Sequence, residues 1–157
     1  MGNKNMAITS LAQNIGKGLF AGLAGTVAMT VSSTTEQRLR KRAASSAPAR
    51  AAEKALGIAK FQDRTAEQRF SNLVHWGYGT GWGVVRGMLR TIGVPPGPAT
   101  IGHFAAIWGS SLVSLPVLDV APPITMWGSK EIAIDVWHHT VYVVATALAY
   151  ELLDRRS

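Results

Sequence analysis

Four stretches of the chain, at about 15–34, 70–89, 99–117 and 132–153, run almost free of charge while charged residues gather between them and at the ends. Each is about 20 residues long, which is the length that a hydrocarbon core of roughly 30 Å demands of a helix. Residues 15–34 contain only Lys17, near the start, and residues 99–117 contain no Lys, Arg, Asp or Glu. A soluble helix would place polar residues on one face at every third or fourth position instead. The pattern predicts an all-α integral membrane protein. It reads as a bundle of four transmembrane helices with a basic cytoplasmic loop at 35–69, all within one domain over 1–157.

Within the first stretch, Gly18, Gly22 and Thr26 recur every four residues, so one helix face carries little bulk and a neighbour can approach it closely. Lys4 and Lys17 ahead of an apolar run resemble a signal peptide, but Lys17 falls late for that, and the segment reads as a retained helix. The second stretch is less apolar yet has the clearest packing face: His75, Gly79, Gly83 and Gly87 follow one another at intervals of four. Gly102, Ala106 and Gly109 form a third small-residue face. The run GVPPGP at 93–98 forces a turn, since clustered prolines cannot continue a helix. Residues 118–128 are too interrupted to span and read as an interfacial or re-entrant loop.

The 35–69 segment holds Arg38, Arg40, Lys41, Arg42, Arg50, Lys54, Lys60, Arg64 and Arg69, nine of the sixteen Lys and Arg residues. Residues 43–50 read as a linker, and 51–61 as a short helix at the membrane surface. A basic loop of this kind is normally cytoplasmic, which also accounts for the net charge of +7 without invoking nucleic acid. Cysteine is absent, so disulfide and thiol chemistry are excluded.

Chemistry, if any, should lie with ionisable groups placed inside the spans. His75 and His139 fall at similar depths, roughly 8–10 Å from the loop-side ends of their spans. Asp135 and His139 are four apart, and Tyr142, Thr146 and Tyr150 extend that stripe. These spacings predict that His75 and His139 approach each other on the cytoplasmic half, with Asp135 within a turn and His103 near the opposite surface. His75, Asp135, His139, Tyr142 and Thr146 are therefore the candidate polar or ligand site. No cofactor is predicted; the residue types leave open a b-type haem between His75 and His139, or a divalent metal on His75, His139, Asp135 and Glu36. The alternating glycines at 77–83 follow no strand and carry no GKS or GKT, so they are packing residues.

The order of motifs resembles the YagU-like family of small multi-pass bacterial inner-membrane proteins of unknown function. The resemblance lies in GLFAGLAG at 18–25, His75 with its glycines, SLP at 114–116, Pro122-Pro123, Asp135, HTVY at 139–142, and Glu151 ahead of basic residues. It implies a four-helix inner-membrane protein and brings no activity or ligand. With no catalytic motif, the chain is expected to be a non-enzymatic accessory subunit or oligomerising helper among membrane lipids and a membrane-protein partner or second copy. A small channel or transporter with a His/Asp-lined path is the alternative, and a haem- or metal-binding protein the lesser one.

Overall fold

The structure, a computed structural model, describes residues 2–155, with side chains from Met6 onward. Lys4 and Arg156, which contribute to the flanking charge, have side chains outside the described residues. Five α-helices account for most of the chain: α1 (Gly2–Arg40), α2 (Ala47–Leu56), α3 (Arg64–Thr91), α4 (Pro96–Val117) and α5 (Ser129–Asp154), with a 3-10 turn at Ile124–Met126. Three of them, α1, α4 and α5, are long and apolar enough to cross a membrane, which marks this as a membrane protein. The fourth long helix, α3, falls short by that measure.

Helix boundaries follow local chemistry. No breaker intervenes after residue 34, so α1 continues through Glu36 to Arg40 and is about 58 Å long, twice the hydrocarbon core. The expected loop at 35–69 is thus mostly helical. Its short helix covers Ala47–Leu56 rather than 51–61, because Pro48 starts it and Gly57, at φ 67°, caps it in the left-handed conformation. The third helix starts at Arg64, ahead of residue 70, where the Asp63 carboxylate accepts from the Ala66 amide at 2.8 Å. Gly93, at φ 79°, reverses the chain after α3, and the fourth helix opens on Pro96.

The first helix is the centre of the assembly, lying against both α3 and α5, while α4 packs on α5 and α3. Close approach between α1 and α3 depends on glycine. A Cβ added at Gly18 would collide with the Gly83 carbonyl, one at Gly83 with the Gly18 carbonyl, and one at Gly87 with the Asn14 carbonyl. Thr26 fills the next position, against Gly79. Gly25, on the adjacent face, admits Thr146 and Tyr142 of α5. The fourth helix packs by a different face than its small residues suggest: Ala99, His103 and Ile107 are buried, a Cβ at Gly109 would meet nothing, and one at Gly102 only ordinary contact with Leu89. Apolar side chains such as Phe20, Ile101, Val113 and Leu148 point outward, as lipid-facing positions should.

Candidate functional site: a polar seam through the helices

The fifth helix carries a stripe of polar side chains into the interior. His138, Tyr142, Thr146 and Tyr150 recur at intervals of four, and all four are buried. The stripe is headed by His138, not by His139, which sits about 100° round the helix and turns toward Asp135. Thr146 donates to the Tyr142 carbonyl at 2.8 Å, satisfying its hydroxyl within the helix, and the Tyr142 hydroxyl donates to the Gly79 carbonyl at 2.6 Å.

At the loop end of the seam, three imidazoles are held by three different arrangements. The Thr30 hydroxyl donates its one proton to the Thr26 carbonyl at 2.7 Å, so His75, 2.8 Å away, donates to Thr30 from Nε2. Ser32 accepts from the Trp137 indole at 3.2 Å, and its hydroxyl shares a hydrogen bond with Nδ1 of His138 at 3.0 Å. Nε2 of His138 faces the Glu36 carboxylate at 3.7 Å. His139 uses Nδ1 to donate to the Asp135 carbonyl at 2.8 Å, since a carbonyl can only accept, and its Nε2 is left with a lone pair. The Asp135 carboxylate accepts from the Trp108 indole at 2.8 Å, joining α5 to α4. The hydrogen-bond partners of His75 and His139 therefore do not coincide: one is tied to α1, the other to its own helix. Glu36 is clamped by Arg42 and by Arg40 at 3.0 Å. Among the described residues, no three histidine, aspartate or glutamate side chains converge as a metal set.

The opposite end of the seam is closed by ion pairs. Lys17 meets Asp154 at 2.8 Å, and Arg90 reaches the other oxygen of that carboxylate at 3.1 Å. Asn14 donates to Thr91 at 3.1 Å and accepts from the Tyr150 hydroxyl at 3.1 Å. One turn deeper, the nearly buried Arg86 binds Glu151 at 2.6 Å and the Pro96 carbonyl at 3.2 Å, with its guanidinium 5.4 Å from the centre of the Tyr150 ring.

No family profile, curated protein or solved structure matches the chain.

Several seam residues escape a reading of the sequence. His103, expected four residues into its helix, lies seven residues past Pro96, and its side chain is fully buried among the helices, the ring edge-on to Tyr142 at 5.7 Å between centroids. The available signal was the interval of four linking Ala99, His103 and Ile107. Arg86 and Glu151 each lie one turn inside a charged residue, Arg90 and Asp154, and that paired inset was their mark in the sequence.

Proposed function

We propose that this protein is a multi-pass helper of a bacterial inner membrane, without chemistry of its own, which associates with a transmembrane helix of a partner subunit or a second copy. In this reading α3 is a fourth span and the segment around α2 is cytoplasmic. Lys17 and Glu36 lie 19 positions apart on α1, about 28 Å of helix, close to one hydrocarbon thickness. The third helix accompanies α1 over that distance, from the His75–Thr30 bond to the Asn14–Thr91 bond.

The observation that carries the reading is the outer face of α3. Gly77 and Gly81 are one turn apart, and a Cβ at either would meet no atom within 4 Å, whereas Gly79, Gly83 and Gly87 are consumed inside. A helix too polar for lipid by composition, with small residues on its open face, gains more from protein cover than from lipid. The test is a Gly77→Leu/Gly81→Leu double variant, with a photo-crosslinking residue placed at Tyr78. In native membranes the parent is expected to give a heavier crosslinked species that the double variant loses, with the thermal transition in mild detergent unchanged. A monomer without crosslinks in both proteins would refute the proposal, and the mass of the product separates a second copy from a different subunit.

The seam favours one second reading, a small channel or transporter. His75, His138, Tyr142, Thr146 and Arg86 place polar groups at successive depths, as an ion path requires. Flux in proteoliposomes across a panel of ions, absent from His75→Ala and His138→Ala variants, would support it; no flux in the parent removes it.

A further inference from the structure

Among the described residues, three buried nitrogen atoms in the interior between α3, α4 and α5 have no partner in full hydrogen-bonding geometry. His103 is 0% exposed, and neither Nδ1 nor Nε2 has a hydrogen-bond partner; Arg86 is 2% exposed, and its Nε is likewise unpartnered. The Trp82 backbone approaches the imidazole as a hydrogen-bond acceptor but falls outside full hydrogen-bonding geometry, and the Arg86 guanidinium lies near the ring without bonding to it. A buried polar group without a partner is destabilising, and a bilayer offers no compensation from outside. Three in one place call for a small polar guest.

The chemistry of the three atoms selects that guest. Nε of Arg86 can only donate, and a neutral imidazole has one donor and one acceptor. An anion would meet the donors and repel the imidazole lone pair, and Glu151 already balances the guanidinium charge at 2.6 Å. A cation has only the lone pair to bind and the guanidinium to oppose it. Water satisfies all three, accepting from Nε and from the imidazole N–H and donating to the imidazole lone pair.

We propose that His103 and Arg86 bind a short file of ordered water inside the protein, through which His103 exchanges protons with the face where Asp154 and Lys17 lie. Direction follows from burial on each side of the imidazole. Toward the loop end, the Tyr142 ring stands against His103 and its hydroxyl is engaged with Gly79. Toward the other end, Arg86 is followed by Glu151, whose side chain is 29% exposed, and then by Asp154 at 20%. The charged and titratable groups around the site are Arg86 and Arg90 from α3, Tyr142, Tyr150, Glu151 and Asp154 from α5, and Lys17 from α1. In each exchange an N–H bond on the imidazole and an O–H bond on water trade protons, and the aqueous face restores the balance.

The test uses the full chain in lipid nanodiscs, labelled with ¹⁵N at histidine, with His103→Gln to assign the signal. Water-edited solid-state NMR is expected to show magnetisation passing from water to the His103 ring, and its N–H is expected to be replaced by deuterium within minutes of transfer to D₂O. Arg86→Leu, or Glu151→Gln if that variant fails to fold, is expected to slow the replacement by about tenfold, the equivalent of losing one charged hydrogen bond, while the other three histidines keep their rates. No transfer from water, with an N–H protected for hours, would overturn the proposal. So would rapid replacement that neither variant alters, since the route would then bypass Arg86.

Discussion

Gly83 and Gly77 lie six positions apart on one helix, yet the chain asks different things of them. A methyl group at Gly83 would strike the backbone of α1, which cannot yield as a flexible side chain would, whereas at Gly77 it enters open space. Gly83→Ala is accordingly expected to lower stability by about 1–3 kcal/mol, and Gly77→Ala to stay within roughly 0.5 kcal/mol of the parent, measured by unfolding in the same detergent. Equal losses would show that the α1–α3 contact is looser than described. The imidazoles carry a second expectation at this scale. His75 should hold its proton on Nε2 and His139 on Nδ1, because Thr30 and the Asp135 carbonyl each dictate the donor. The ¹⁵N shifts of the two rings distinguish these tautomers, and matching tautomers in both would contradict the assigned bonds.

At the scale of the helix, α3 is the element whose sequence and position disagree. Its composition is too polar to mark a span by itself, since Asn72, Arg86 and Arg90 interrupt it, but Arg86 and Arg90 are neutralised by Glu151 and Asp154 of α5. A charge paired inside the protein costs far less than the same charge facing lipid, and hydropathy summed along one helix cannot register the partner. The natural absence of cysteine makes the topology easy to map. Gln68→Cys and Ile92→Cys, both exposed and flanking the middle of α3, are expected to label from opposite sides of sealed vesicles. Labelling from one side would place α3 outside the bilayer and remove the fourth span. The overrun of α1 to Arg40 has a related cause: a fall in apolarity at residue 34 marks where lipid should end, while a helix continues until its backbone is interrupted.

Across the whole molecule, the two sets of ion pairs at one end of the seam differ chiefly in the burial of their cations. Arg86–Glu151 lies one turn inside Lys17–Asp154–Arg90, and its arginine is nearly inaccessible whereas the outer groups are partly wet. Glu151→Gln is expected to cost about 3 kcal/mol, because it leaves a buried guanidinium without its counter-charge. Asp154→Asn is expected to cost about 1 kcal/mol or less, with a loss that shrinks as salt is raised. Similar costs for the two, measured in parallel, would mean that water reaches both sites equally. What the linear chain determined by itself was set by local physics: three membrane-capable apolar stretches, the four-residue recurrence of glycine in α1 and α3, and a cationic segment between them each depend on near neighbours alone. Tertiary structure decided the rest. His138 instead of His139 joined the interior stripe, His103 was turned inward against Tyr142, and Gly83 but not Gly81 was pressed against α1. Each of these choices is a rotation of a helix about its own axis, where a single residue step is about 100°, and the rotation is fixed only when every neighbouring helix has claimed its face.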